Sequence, residues 1–261
     1  MHISLKGKRA MVGGCTQGLG KAIAYQLAES GAELVLVARN EEKLQKILSE
    51  LPTDHNQKHS YLLVDFSDFQ QFKDIVSSYF QQNSVDILVN NTQGPAFGNV
   101  LEMQAENYES AFNLLFQTNV FLSQQALKGM QKNGFGRIIN LSSITTKEPL
   151  SHLVLSNTMR TALISWAKSL AKEVAADGIT VNSLLTGYFE TERLQNIIKL
   201  QSEKKGISYQ EFAKNMQVDI PAKRFGKPEE FAHLVTFLAS DFAGYITGAN
   251  IPIDGGFLKC L

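Results

Sequence analysis

The sequence predicts one α/β domain of three layers, in which a doubly wound, seven-stranded parallel sheet lies between two layers of helices. Short runs of aliphatic and β-branched residues alternate with amphipathic stretches of helical length. Strands buried on both faces form nearly continuous apolar runs, and the helices between them supply right-handed crossovers. With 261 residues, of which 44% are hydrophobic, the chain is long enough to bury the core of such a domain.

The strands and helices follow one another without a Pro-rich or Ser-rich linker or an internal repeat. The predicted strands are RAMVGG (9–14), AELVLVA (32–38), HSYLLVD (59–65), VDILVNN (85–91), RIINLSS (137–143), ITVNSLL (179–185) and ANIPID (249–254). Helices are predicted over 20–30, 41–51, 68–82, 105–132 and 153–176. A polar helical segment at about 190–220 follows the sixth strand, and we predict that this segment forms a lid over a site.

Composition excludes several classes of function. The 25 basic and 25 acidic residues balance, so no net field attracts nucleic acid or an anionic membrane. The N-terminal MHISLKGKRAMVGG lacks the apolar run of a signal peptide, and no stretch reaches the ~18 apolar residues of a membrane helix. Cys15 and Cys260 lie far apart without metal-ligand spacing. We therefore expect a soluble cytoplasmic protein without a metal site or disulfide.

The first strand continues into GGCTQGLG (13–20), which opens a helix. In this context Gly14 permits a tight turn, Gly18 lets the backbone approach a pyrophosphate, and Gly20 allows close helix packing. Unpaired amides at the helix N-terminus then face the anion. The pattern predicts a Rossmann-type dinucleotide site that also includes Thr16, Gln17 and Leu19; an ordinary glycine-rich turn is the alternative.

Arg39 occupies the tip of the second strand, where a site selective for NAD usually has an acidic residue. An arginine at this position suits the 2′-phosphate of NADP. The sequence therefore favours NADP(H) over NAD(H), and an exposed arginine that opens the next helix is the alternative.

Several further motifs follow in a characteristic order: VDFSD (64–68), DILVNN (86–91), GRIINLSS (136–143), TGYFET (186–191) and TGANIPIDGG (247–256). With the glycine loop, they make the chain resemble the short-chain dehydrogenase/reductase family over nearly its whole length, and the 3-oxoacyl-acyl-carrier-protein reductases in particular. The resemblance implies that these motifs border the adenine, line the cofactor channel and flank the nicotinamide. The residues so implied are Asp65, Phe66, Asn90, Asn91, Gly187, Tyr188 and Thr191.

The catalytic positions depart from the family, whose members use Asn, Ser, Tyr and Lys together. The resemblance assigns the serine to Ser143, places Ser156 at the tyrosine position and Arg160 at the lysine position, and puts Leu115 at the asparagine position. A serine hydroxyl has no pKa that reaches neutrality, and an arginine stays protonated. The resemblance implies that Arg160 holds the nicotinamide ribose, as the family's lysine does, and its permanent charge would maintain a positive potential without moving a proton.

Two hypotheses about function remain open from the sequence. The first is an NADP(H)-dependent oxidoreductase that reduces a ketone or 3-oxoacyl group, with Tyr188 as a substitute acid or with a water relay between Ser143 and Ser156. An aromatic wall is the alternative role of Tyr188. The second is a catalytically silent nicotinamide-dinucleotide-binding protein that acts as a sensor or structurally. The resemblance also implies a small carbonyl or alcohol substrate and a homo-oligomer, either a tetramer or a dimer.

Overall fold

Seven parallel strands form the central sheet in the computed structural model, which describes residues 2–260. The sheet order β3-β2-β1-β4-β5-β6-β7 confirms the predicted doubly wound fold. The strands are β1 (Arg9–Gly13), β2 (Glu33–Ala38), β3 (Ser60–Leu63), β4 (Ile87–Asn90), β5 (Gly136–Ser143), β6 (Ile179–Thr186) and β7 (Asn250–Ile253). The order reverses between β1 and β4, so a crevice opens where their carboxyl ends diverge.

Helices cover both faces of the sheet, as predicted. They are α1 (Gly18–Glu29), α2 (Glu41–Glu50), α3 (Phe69–Gln82), α4 (Ala105–Phe112), α5 (Thr118–Asn133), α6 (Val154–Val174), α7 (Glu192–Lys205), α8 (Tyr209–Asp219) and α9 (Pro228–Ala239). Apolar residues of α1, α2 and α9 form one core cluster with the sheet, and those of α3 to α6 form the second on the opposite face. None of the described helices is long and apolar enough to cross a membrane.

Side-chain caps fix where several helices begin. Asn40 accepts a hydrogen bond from the Lys43 amide at 2.8 Å, and Asp68 accepts one from the Gln71 amide at 3.0 Å. Each cap satisfies one of the amide donors left unpaired in the first helical turn. These caps place the starts of α2 and α3 within one residue of the sequence prediction.

The single helix predicted over 105–132 is wrong in its middle. A π-helical turn, Asn113–Gln117, separates α4 from α5. The Thr118 hydroxyl donates to the Asn113 carbonyl at 2.8 Å, and the Gln117 side chain donates to that of Asn113 at 2.8 Å. These bonds stabilise a wider turn, which commonly occurs at functional sites.

The segment predicted as a lid folds into α7 and α8. Leu194 and Ile198 on α7 are buried and pack with Ile220 and Phe225 in a third, smaller apolar cluster. Leu200, which shares the apolar pattern in the sequence, is 54% exposed. Packing against this local cluster explains most of the apolar stripe of α7, and its role as a lid stays a prediction.

Candidate active site

The glycine loop joins β1 to α1 at the crevice. Gly14 and Gly18 have φ of 55° and 53°, which is left-handed backbone that favours glycine. A β-carbon built on Gly20 would lie 2.2 Å from the Gly14 carbonyl oxygen, so a larger residue has no room. No side chain caps the start of α1, and its first turn contains no acidic residue. The free amides and the close backbone approach fit a dinucleotide pyrophosphate.

The remaining loop residues lie around this cradle. Gln17 is exposed, Thr16 and Leu19 are partly buried, and Leu19 packs against the apolar cluster beneath. Cys15 is fully buried, and burial raises the pKa of its thiol to about 12. The Cys15 thiol is therefore neutral at physiological pH and contributes packing rather than charge.

Two asparagines at the end of β4 hold this edge of the sheet together. The Asn91 amide nitrogen donates to the carbonyl oxygens of Gly13 and Gly14 at 3.1 and 3.2 Å. The Asn90 amide nitrogen donates to the Ser123 hydroxyl at 3.0 Å and to Asn140 at 2.8 Å. Asn90 is only 1% exposed, so it lies beneath the predicted cofactor channel, whereas Asn91 lies directly against the glycine loop.

The predicted adenosine end lies where β2 and β3 end. The Arg39 guanidinium is 3.8 Å from the Asp65 carboxylate, and the Arg39 side chain is 62% exposed. Hydrogen bonds from Ser67 lower the pKa of Asp65, and the charge of Arg39 lowers it further. Phe66 is buried and packs against Phe72. Arg39 is therefore the exposed cation at this end, and Phe66 forms part of the floor.

Ser143 ends β5 at the predicted catalytic position. Its hydroxyl oxygen accepts hydrogen bonds from the amide and the hydroxyl of Thr145, at 3.2 and 3.0 Å. Because both bonds use acceptor positions, the hydroxyl proton of Ser143 is free to be donated elsewhere. The neighbouring Ser142 is buried, and its hydroxyl has no partner within the described part of the chain. The geometry favours Ser143 over Ser142 as the functional serine.

Ser156 and Arg160 lie one helical turn apart on α6. The Arg160 Nε donates to the Ser156 hydroxyl at 3.2 Å, and its Nη1 donates to the carbonyl oxygen of Leu141 on β5. Desolvation lowers the pKa of Arg160 to about 10, with a contribution from the nearby charge of Arg193. Arg160 is still protonated at neutral pH, and the Ser156 hydroxyl proton is free for donation.

The predicted substitution at the asparagine position places Leu115 in the π-helical turn. Its side chain is buried, and its carbonyl oxygen accepts a hydrogen bond from the Asn119 side chain at 2.7 Å. Ser123 in turn donates to the Asn119 carbonyl at 2.7 Å. A buried polar chain therefore runs from Leu115 through Asn119 and Ser123 to Asn90, beneath the site.

The loop after β6 joins the site to the segment above it. A β-carbon built on Gly187 would lie 2.6 Å from the Asp254 Cα, so this turn requires glycine. Thr191 caps α7, and its Cγ2 lies 3.2 Å from a β-carbon built on Gly18. Tyr188 is edge-on to Phe257, with ring centroids 5.3 Å apart, and belongs to the apolar cluster of α7. Burial raises its pKa, and the charge of Asp219 raises it further.

Arg193, on the first turn of α7, is a site residue that sequence reasoning missed. A β-carbon built on Gly94 would lie 2.0 Å from Nη1 of Arg193, so the guanidinium rests on the loop after β4. The same guanidinium lies 5.5 Å from the centre of the Phe97 ring. Only the three-dimensional fold brings Arg193 close to Arg160, and no motif in the sequence marks it.

Known proteins resemble this chain throughout its length. Residues 14–258 match a family model described as enoyl-(acyl carrier protein) reductase. The chain is a short-chain dehydrogenase/reductase. It is 33% identical over 256 residues to the NADPH-dependent reductase BacG of Bacillus subtilis. That alignment covers 97% of this chain and 99% of BacG.

Two further relatives of this short-chain dehydrogenase/reductase have other descriptions. The 3-oxoacyl-[acyl-carrier-protein] reductase FabG of Aquifex aeolicus is 33% identical over 260 residues, which is 98% of this chain and 99% of FabG. The L-sorbose reductase of Gluconobacter frateurii, solved with NADPH and L-sorbose, has a TM-score of 0.93 and 31% identity. That alignment covers 100% of both chains. The family and fold expected from the sequence are confirmed, whereas the roles of individual site residues stay predictions.

Proposed function

We propose that this short-chain dehydrogenase/reductase is an NADPH-dependent reductase of a ketone or 3-oxoacyl group with an atypical catalytic set. One observation carries the proposal: the hydroxyls of Ser143 and Ser156 each accept hydrogen bonds from neighbours and keep a free proton. Ser156 lies beside the protonated Arg160, and Ser143 ends β5, whose Leu141 carbonyl accepts from the same arginine. BacG is described as NADPH-dependent and the sorbose reductase was solved in complex with NADPH, which supports the choice of cofactor.

The cofactor would be held by the start of α1, by Asn91 and Thr191 beside it, and by Arg39 at its 2′-phosphate. When bound, NADPH supplies a hydride to the carbonyl carbon. Ser143 and Ser156 donate hydrogen bonds to the substrate oxygen, on which negative charge develops. Arg160 holds Ser156 in position and adds positive potential without losing its own proton. A water molecule relayed by the two serines would then donate the proton that this oxygen requires, and the hydroxide left behind would exchange with bulk solvent.

A catalytically silent dinucleotide-binding protein is the second candidate. It is favoured by the absence of a phenol with a tuned pKa at the position of Ser156, because loss of a positioned acid forfeits roughly 10²–10⁴ in rate. The free serine protons favour the enzyme, since a protein without turnover needs no pair of hydroxyl donors beside a cation. Titration with NADPH, followed by turnover of 3-oxoacyl esters and ketoses, separates the two.

Replacing Arg39 with glutamine is expected to weaken NADPH binding about tenfold and to leave NADH binding unchanged. A hydrogen bond to a charged group contributes roughly 1.5–3 kcal/mol, and the exposure of Arg39 places the loss toward the lower value. Fluorescence titration of both nucleotides measures the effect. Lys46→Gln removes an exposed cation from α2 and serves as the control. Equal weakening of both nucleotides would show that Arg39 does not recognise the 2′-phosphate.

Tyr188→Phe is expected to change kcat less than about threefold and to leave its pH profile unmoved. Burial and the Asp219 charge raise the Tyr188 pKa, which makes the phenol a poorer acid, and its ring packs in the apolar cluster of α7. A general acid contributes roughly 10²–10⁴ in rate, so its loss is easily distinguished from a packing change. A hundredfold fall with a displaced pH profile would instead identify Tyr188 as the proton donor.

We further propose that the protein acts in the cytoplasm as a homo-oligomer, either a dimer or a tetramer. The stacked rings of Phe112, which ends α4, and Phe116, in the π-helical turn, line a surface pocket together with residues of α3 and α5. Phe112 is 37% exposed, which leaves apolar area for a second copy to cover.

A further inference from the structure

The Arg160 guanidinium is held in position but not saturated. Of its five N–H donors, one is directed at the Ser156 hydroxyl and one at the Leu141 carbonyl oxygen. Three donors remain, which is enough for the nicotinamide ribose, as expected from the sequence, and for a further ligand. Both of its partners are neutral, so the side chain carries its charge into the crevice without a counter-ion.

Arg193 approaches the same space from α7. The loop that it contacts is joined to the start of α6, the helix of Arg160, because Gly98 is hydrogen-bonded to the backbone of residues 152 and 154. The Arg193 guanidinium rests on Gly94 and over the Phe97 ring, whereas other parts of the residue remain exposed to solvent. Phe97 orients the guanidinium by a cation–π contact and offers it no hydrogen bond. The planar fork of Arg193 is therefore also available to a ligand.

The two arginines repel each other, and no carboxylate of the described residues neutralises them. Within residues 2–260, neither guanidinium forms an ion pair with Asp or Glu. Each arginine has a lowered pKa, in both cases chiefly through desolvation, and the charge of Arg193 lowers that of Arg160 further. Cations of this kind bind an anion that arrives with two acceptor oxygens, because guanidinium geometry matches a carboxylate bidentately.

Two anions could occupy this position, the cofactor diphosphate and a group on the substrate. The diphosphate already has the free amides at the start of α1, where Thr191 contacts the glycine loop. Arg193 contacts a different loop, at Gly94, and Arg160 is bonded to the predicted catalytic Ser156. The arginine pair is therefore associated with the reacting end of the crevice.

We propose that Arg160 and Arg193 form a carboxylate-binding subsite, so that the substrate of this reductase is an oxo acid. This inference rests on the proposed function, because it assigns the substrate class of the same site. The carboxylate would lie between the two guanidiniums while the ketone oxygen meets Ser143 and Ser156.

Binding without turnover tests the subsite directly. Calorimetric titration of the NADP⁺ complex, in which no ketone can be reduced, compares 2-oxo-4-phenylbutanoate with its ethyl ester. The acid is expected to bind at least tenfold more tightly than the ester. Arg193→Gln is expected to abolish this preference, because one charged hydrogen bond of roughly 1.5–3 kcal/mol corresponds to tenfold or more. Arg193→Lys keeps the positive charge but loses the planar pair of guanidinium donors, so it should retain part of the preference for the acid.

Two further variants make the experiment specific. Lys199→Gln removes an exposed cation from the same helix and should leave the acid-to-ester ratio unchanged. Gly94→Ala places a methyl group where the Arg193 guanidinium lies, so it should displace that flexible side chain and reduce the ratio as Arg193→Gln does. A ratio near one in the unmodified protein, or one insensitive to Arg193→Gln, would overturn the proposal.

The outcomes also separate this inference from the proposed function. If Arg193→Gln weakens NADP⁺ binding tenfold and leaves the acid-to-ester ratio intact, the pair serves the diphosphate and the inference fails. If the protein reduces neutral ketones with no preference for acids, the inference fails and the proposed function stands. If no nucleotide binds, the proposed function fails, and the same titration without nucleotide still decides whether the arginines take a carboxylate.

Discussion

Gly20→Ala is expected to weaken NADPH binding at least about a hundredfold. Helix propensity alone favours the alanine by about 1 kcal/mol, since Gly20 lies in α1. The new methyl group would lie 2.2 Å from the Gly14 carbonyl oxygen, which is a backbone atom and cannot turn aside. The start of α1 must therefore move away from the loop. Two charged hydrogen bonds from its amides, each roughly 1.5–3 kcal/mol, would then be lost to the pyrophosphate.

Fluorescence titration with NADPH measures the loss, and thermal unfolding reports whether the variant remains folded. Overpacking of this kind lowers the free energy of unfolding by roughly 1–3 kcal/mol. We therefore expect the variant to have a lower Tm but to be folded at temperatures below that Tm. Gly134→Ala is the matched control, because Gly134 ends α5 with φ of 62° and has no atom within 4 Å of a built β-carbon. It imposes backbone strain without a clash at the site. NADPH affinity within threefold of the parent in Gly20→Ala would contradict the assignment of the cradle.

The glycine loop and the sheet could be predicted because each depends on a sequence pattern within a short segment of the chain. The loop 13–20 has glycines at positions where a side chain would prevent two parts of the backbone from lying close together. The structure shows such a close contact between Gly20 and the Gly14 carbonyl. The strands were likewise predictable, since burial on both faces leaves uninterrupted apolar runs. Helix starts at Asn40 and Asp68 depend on residues adjacent in sequence.

The other features of the site depend on contacts between distant residues. FNLLFQTN (112–119) reads as continuous helix, because the extra residue of a π-helical turn barely disturbs an apolar pattern. Arg193 lies in a polar segment where many charged residues are exposed, and only the position of α7 brings its guanidinium onto Gly94. The sequence left Tyr188 open between an acid and an aromatic wall; its edge-on contact with Phe257 and its raised pKa favour the wall.

In the proposed mechanism, the pair of Ser156 and Arg160 would replace proton transfer with charge stabilisation. A phenol with a lowered pKa both donates a hydrogen bond and releases its proton, whereas a serine hydroxyl does only the first at neutral pH. Arg160 donates to the Ser156 oxygen, and this bond would polarise the hydroxyl that we propose donates to the substrate. The chemistry proposed here therefore depends on hydrogen-bond donors placed where negative charge develops. Removing the Ser143 hydroxyl, which is one of these donors, should then lower kcat strongly.

Ser143→Ala is expected to lower kcat about 10²–10³-fold, which is the usual cost of removing one donor to a developing oxyanion. The Ser143 hydroxyl accepts from Thr145 twice, so its own proton has no other use within the site. KM should change little, because the hydrogen bond strengthens chiefly in the transition state. Steady-state NADPH oxidation with the most reactive ketone of the panel measures both constants.

The adjacent serine provides a matched control for this prediction. Ser142→Ala removes a hydroxyl that is buried and has no partner among the described residues, so turnover should stay within about twofold and stability should not fall. The double variant Ser143→Ala with Ser156→Ala should lose less than the product of the single losses, because both hydroxyls donate to one oxygen and act as a unit. If Ser143→Ala keeps kcat within threefold, charge stabilisation by the serines is not the source of catalysis. The arginine pair would then have to orient the substrate for hydride transfer alone.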